Sequence, residues 1–207
     1  MYLEADMPLS ADEAEAAPWF YRLVHRSALA VLGCLRGIEA LGLENVPSRG
    51  RVIVASNHVS MIDPPINGLT LGIPRYPRFL AKEELFRLPL LGAFFRGCGC
   101  IPLSRGRGDV AAIREALAVL EAEGCLVVFP EGTRARGRSL RPKAGVGLLA
   151  REAGAPVVPA RVRDTESLFK RGPLRIRFGA PLRFSGGEGR RECQAFAEKV
   201  MEAIWKL

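Results

Sequence analysis

Val52-Ile53-Val54-Ala55, then Asn57-His58-Val59-Ser60-Met61-Ile62-Asp63, then Pro64-Pro65, is the stretch on which the architecture turns. The unbroken apolar run has the length and character of a short buried strand. An Asp directly before Pro marks a turn or a helix start. The polar motif therefore sits where a strand ends, the rim at which open α/β sheets bind ligands. His58 and Asp63 are five positions apart, about 140° on one continuous helix, so a turn between them is needed for contact. Given that turn, the carboxylate can hold one ring nitrogen while the other faces a substrate hydroxyl as general base. The same residues also admit a plainer reading, with Asp63 capping the next helix and His58 merely polar at a strand end.

Outward from this stretch, apolar runs alternate with helical periodicity. Strands are expected at 78–81, 98–103, 125–129, 156–161 and 174–178. Helices are expected over 66–71, from 82 with interruptions near Pro89 and Gly92, from Val110 to Gly124 behind an Asp109 N-cap, over 145–154 and over 192–205. This pattern predicts a single layered α/β domain with a largely parallel central sheet flanked by helices. Ahead of it, residues 19–43 read as one long amphipathic helix with Trp19 and Phe20 at its start and Arg22, His25, Arg26 and Arg36 spaced through it. That composition suits a helix lying in a membrane interface, and equally one packed on the domain's own core. His25 has no acidic neighbour in sequence and is read as an interfacial or surface residue.

The net charge is +8, and residues 1–17 hold five acids without a Lys or Arg, so the remainder carries +13. Such a surface favours anionic partners: acidic headgroups, a phosphorylated substrate, an acidic carrier or nucleic acid. Specific nucleic-acid binding is disfavoured, because aromatics are 7% of the chain and none interrupts the basic loop from Arg134 to Lys143. Mean hydropathy is +0.10, yet no uncharged apolar run reaches the ~18 residues of a membrane span. Five cysteines, an odd number without zinc spacing, fit a reduced cytosolic setting and no metal. The acidic start lacks a signal-peptide pattern, so export is not expected.

Three features recur at strand ends: His58 with Asp63, Arg105 after Ile101-Pro102-Leu103, and Glu131-Gly132-Thr133-Arg134 after Val127-Val128-Phe129-Pro130. Together they resemble the glycerolipid acyltransferases, the family that includes 1-acylglycerol-3-phosphate acyltransferase. Its N-H-x-S-x-x-D block is met by Asn57, His58, Ser60 and Asp63. A second block is met by Lys82, Glu84, Leu85, Pro89, Gly92, Gly99, Ile101 and Arg105. F-P-E-G-T-R is met from Phe129 to Arg134, and an apolar pair before Pro by Val157-Val158-Pro159.

The resemblance implies transfer of a fatty acyl group from a thioester, acyl-CoA or acyl-acyl carrier protein, to the free hydroxyl of lysophosphatidate, with no further cofactor. Another lysophospholipid or an amino-acid-containing lysolipid is the alternative acceptor. It implies His58 as base and Asp63 as its orienter, with Arg134, Arg105 and Lys82 as phosphate ligands, since Arg meets phosphate oxygens as a planar fork. Glu131 is expected to orient Arg134 or accept from a glycerol hydroxyl, and Gly132 and Thr133 complete the substrate loop. Lys143 belongs to the same set, although Pro142-Lys143-Ala144-Gly145 has Pro where the family often has Phe. A Ser60–His58–Asp63 hydrolase is the competing chemistry, and the absence of a G-x-S-x-G elbow weighs against it. The expected organisation is a membrane-associating segment over 1–43 and an acyltransferase domain over 44–207. The helix and the basic loops would meet anionic lipid at the cytoplasmic face of the membrane as a peripheral or monotopic protein, with Arg136, Arg138 and Arg141 facing anionic lipid or an acidic carrier.

Overall fold

The computed structural model describes residues 17–104, 109–135, 140–166 and 171–207. The expectations for residues 1–16 and for Arg105, Arg136 and Arg138 lie outside them. Seven strands, β1 (Ile38–Leu41), β2 (Val52–Ser56), β3 (Arg78–Lys82), β4 (Cys100–Leu103), β5 (Cys125–Val128), β6 (Val157–Arg163) and β7 (Leu174–Phe178), form one sheet. Its order is β1-β7-β6-β2-β5-β3-β4. Every neighbouring pair is parallel except β6 and β7. β2 is buried throughout because it lies between β5 and β6 with a helical layer on each face.

The helices are α1 (Trp19–Leu35), α2 (Asp63–Arg75), α3 (Pro89–Gly97), α4 (Val110–Glu121), α5 (Gly145–Ala153) and α6 (Arg190–Lys206). Alternate strand residues feed two cores. Val52 and Val54 face α2 with Ile66 and Leu69, and the Ala28, Leu29 and Leu32 side of α1 packs there. Ile53 and Ala55 face Leu120 of α4, Leu149 of α5 and Val200 of α6. Asp109 caps α4 by accepting the Ala112 N–H, as its position before an apolar periodic run predicts.

Two expectations fail on the N-terminal side. The helix expected to run to residue 43 stops at Leu35, because Gly37 adopts a left-handed φ of 70° and turns the chain into β1. That strand pairs with β7, so the sheet begins at Ile38, inside the segment assigned to 1–43. His25 is not a surface residue either. It is buried and its Nε2 lies 3.1 Å from the Leu69 carbonyl, while Tyr21 donates to Gly68 O at 3.2 Å. α1 is thereby fastened to α2 along one side, leaving Trp19, Leu23, Val31 and Leu35 exposed on the other. Near residue 82 the expected helix resolves into a 3-10 turn at Glu83–Phe86 and then α3, with Pro89 in its first turn, where a missing N–H costs nothing.

Candidate active site

Since β2, β5 and β3 are parallel neighbours, their outgoing loops share one rim: His58 follows β2, Glu131 to Arg134 follow β5, and Lys82 ends β3. After Ser56 the chain turns so that Asp63, first residue of α2, folds back on the loop it closes. Asp63 Oδ2 accepts the Val59 and Ser60 N–H groups at 2.6 and 2.7 Å and lies 3.0 Å from His58 Nδ1. Thr165 donates its hydroxyl to Oδ1 at 2.6 Å. A carboxylate with no solvent exposure is tolerable only with such a set of donors. His58 itself is 16% exposed. With Nδ1 turned to the carboxylate, Nε2 is the nitrogen left to meet a substrate.

The peptide of His58 is held as firmly as its ring. Glu131 Oε2 accepts the His58 N–H at 2.7 Å, Ala135 N–H donates to the His58 carbonyl at 2.7 Å, and the imidazole stacks on Phe129 at 4.4 Å between centroids. The loop after β5 therefore fixes both position and plane of the ring. Asn57 joins the rim to β6, donating to Val162 O at 3.0 Å and accepting the Val162 N–H at 2.7 Å. Asn67 ties Ser56 Oγ to the Asp63 carbonyl. Ser60 Oγ accepts the Ile62 N–H and makes no bond to His58, so the hydrolase arrangement is not formed.

The predicted substrate residues sort into three groups. Glu131 is buried and bonds His58 rather than Arg134. It thus belongs to the histidine's support, the loop after β5 meeting His58 through this bond and through the Phe129 ring. Gly132 has a φ of 68°, and a Cβ there would meet Lys143 Cε at 2.7 Å. The Lys143 stem lies on Gly132, and its N–H donates to Pro130 O at 2.8 Å, so Lys143 is brought to the loop. Thr133 is exposed and Arg134 half-buried in that loop. Lys82 is exposed at the same rim, 3.5 Å from Glu84.

Thr165 was not among the residues singled out by sequence. Its partner is 102 positions away, and a lone Thr after a strand carries no local signal. Thr165→Val keeps the shape and removes the donor. We expect kcat to fall about tenfold with little change in acceptor KM, and Thr165→Ser to restore it, in steady-state kinetics.

Burial pushes the Glu131 carboxyl from the usual 4.5 up to about 7, opposed by the His58 N–H and reinforced by the nearby Asp63 charge. Its Oε1 is buried without a partner among the described residues. Between those values the unfolded chain has lost this proton while the folded one keeps it. The contribution is therefore full below about pH 4.5 and lost as pH rises to about 7. Glu131→Gln keeps an acceptor for His58 and removes the titration. Urea unfolding at pH 5 and 8 should show the variant gaining on the order of 2 kcal/mol on the parent across that interval. A constant difference would mean that Glu131 titrates normally.

An acyltransferase family model matches residues 37–163. The chain is 29% identical to the 1-acyl-sn-glycerol-3-phosphate acyltransferase of Bacillus subtilis over 75% of its own length and 79% of that protein. It is 31% identical to the Borreliella burgdorferi enzyme of the same name, over 71% of this chain and 60% of that one. The crystal structure of the 1-acyl-sn-glycerophosphate acyltransferase from Thermotoga maritima superposes with a TM-score of 0.72 at 27% identity, covering 96% of this chain and 82% of that chain.

Proposed function

This chain belongs to the acyltransferase family, and from that premise we propose that it transfers a fatty acyl group from a thioester to lysophosphatidate, giving phosphatidate. The observation that carries the reading is the buried carboxylate of Asp63 on His58 Nδ1, which leaves Nε2 to act as base. In this mechanism Nε2 takes the proton of the glycerol hydroxyl as its oxygen attacks the thioester carbonyl. The tetrahedral adduct collapses, the carbon–sulfur bond breaks, and the departing thiolate takes the proton from His58. No enzyme nucleophile is needed.

Arg134 and Lys143 on the β5 loop, Lys82 on β3 and Arg105 after β4 are proposed to hold the phosphate, with Gly132 and Thr133 lining its approach. Glu131 serves by fixing the His58 peptide, and Asp63 by fixing its ring. An open groove of about 600 Å³ runs between α1 and the loop, lined by Leu23, Val24, Val31, Leu32, Ile62 and Pro65. Its lining is apolar at all six of these positions and suits an acyl chain. The exposed Trp19, Leu23, Val31 and Leu35 support peripheral membrane association through α1. Among the described residues no helix is long and apolar enough to cross a membrane. A cytoplasmic face is consistent with five free cysteines.

The test is phosphatidate formation from lysophosphatidate and either acyl thioester in detergent micelles, with Arg134→Ala alongside. Turnover by the parent, and a loss of about 10²-fold in kcat/KM for lysophosphatidate in the variant, is expected for a bidentate phosphate ligand. Activity confined to lysolipids without a terminal phosphate would replace the acceptor named here.

A further inference from the structure

The carboxylate that orients His58 and the hydroxyl that holds this carboxylate come from different parts of the chain, and α1 is bonded to both parts. Asp63 opens α2, which Tyr21 and His25 grip through the Gly68 and Leu69 carbonyls. Thr165 lies in the connection between β6 and β7, which Arg36 grips from the end of the same helix. Arg36 Nη1 donates to the Asp164 carbonyl at 3.0 Å and Nε to the Gly172 carbonyl at 2.7 Å. One guanidinium thus bridges both limbs of the connection, its rigid fork spanning two acceptors that a flexible ammonium holds less firmly.

The bond to Asp164 falls where the chain reverses its faces. Along β6, Val162 is buried and Arg163 exposed, so a strand that simply continued would bury residue 164 and expose residue 165. The reverse is found: Asp164 is half-buried, while Thr165 has no solvent exposure and meets Asp63 Oδ1 at 2.6 Å. The switch is made at Asp164, whose φ of 64° lies in the left-handed region that residues with a Cβ enter unfavourably. Such a turn persists only where its surroundings hold it. Arg36 holds its carbonyl, and Arg175 lies 3.5 Å from its carboxylate.

The plainer role for a cation at residue 36 is to neutralise the carboxyl end of α1, bonding the carbonyls of the last turn. Both bonds above instead reach partners 128 and 136 positions along the chain. β7 is tied to the same junction, where the Leu174 N–H donates to Gly37 O at 3.1 Å. The end of α1, the turn at Asp164 and the start of β7 are therefore one fastened unit.

We infer that Arg36 is a positioning residue for acyl transfer: it clamps the turn at Asp164 so that the Thr165 hydroxyl meets Asp63, and through Asp63 it keeps His58 aimed at the acceptor hydroxyl. The inference rests on the acyl-transfer reading above. It adds to that reading a residue which, like Thr165, lies outside the family-matched residues 37–163.

The test is a double-mutant cycle in the full chain, with Arg36→Ala, Thr165→Val and both together, and Arg36→Lys alongside. Phosphatidate formation is assayed from lysophosphatidate and either palmitoyl thioester. Amide hydrogen exchange at Val59 and Ser60, whose N–H groups are bonded to Asp63 Oδ2, is read on the same proteins without substrate.

Arg36→Ala is expected to lower kcat about five- to tenfold with acceptor KM within about twofold of the parent. The double variant is expected to fall no more than about twofold below Thr165→Val. Arg36→Lys keeps the charge and loses the fork, so it should fall with Arg36→Ala, and exchange at Val59 and Ser60 should quicken about fivefold or more in each. Multiplicative losses in the double variant, parental kcat in Arg36→Lys, or unchanged exchange at these amides would overturn the inference. So would a loss carried by KM alone, which would assign Arg36 to seating α1 at the acyl groove. Should Arg36→Ala not fold, Arg36→Lys carries the same cycle. Should the parent form no phosphatidate from either thioester, the acyl-transfer reading fails, while exchange at the two amides still decides the clamp.

Discussion

His58→Ala should lower kcat for acyl transfer by about 10²–10⁴-fold, the range lost with a general base, while unfolding free energy changes by no more than about 1 kcal/mol. The two parts of this expectation have separate causes. An alcohol has almost no alkoxide at neutral pH, so without Nε2 the attack on the thioester waits for a rare ionisation. The ring is partly exposed and makes a single side-chain hydrogen bond, whereas the bonds to Glu131 and Ala135 use the backbone and survive the substitution. Rapid-quench turnover and urea unfolding on the same preparation check both parts. A fully active variant would remove the mechanism built on this residue.

Asp63→Ala should be as inactive as His58→Ala and, unlike it, lose about 3 kcal/mol or more of stability. The carboxylate accepts from two backbone N–H groups, the Thr165 hydroxyl and the imidazole while wholly buried. Truncation strands donors that water reaches poorly, each costing about 1–3 kcal/mol. Thr165→Val in the Asp63→Ala background should then cost little, because its partner is already gone. A thermal shift for Asp63→Ala no larger than for His58→Ala would mean that the loop finds other partners, and would reduce Asp63 to a ring orienter.

The sheet was legible because its central strands are covered on both faces and so read as unbroken apolar runs, as in Val52 to Ala55 and Cys125 to Val128. β1 was not, since Ile38 to Leu41 is short, half-exposed and continuous with a helical pattern. Only Gly37 marks the break, and its left-handed backbone is invisible without the fold. In the site, His58 and Asp63 were readable because one turn joins them. Glu131 was singled out for its block, with Arg134 or a glycerol hydroxyl as its expected partner, and its bond to the His58 N–H was not foreseen. Its bond to His58 spans 73 positions and that of Thr165 to Asp63 spans 102, distances over which a single sequence carries no pairing information. The β6–β7 pairing shows the same limit. Arg175 and Arg177 alternate visibly with Leu174, Ile176 and Phe178, but that they face Arg161 and Arg163 depends on an antiparallel pairing unique among the sheet's neighbours.

The place of β2 between β5 and β6 has a consequence for synthesis of the chain. This wholly buried strand leaves the ribosome early, and both of its neighbours are encoded later, β6 ending about 100 residues downstream. At some 5–20 residues per second, a nascent chain carries this strand with both edges open for roughly 4–14 s, until β5 has emerged, and with one edge open until β6 follows. Until residue 165 has emerged, Asp63 also lacks its threonine. A chain cut short before that point would be sticky and catalytically incomplete, so this protein should depend on chaperones during translation more than its size suggests.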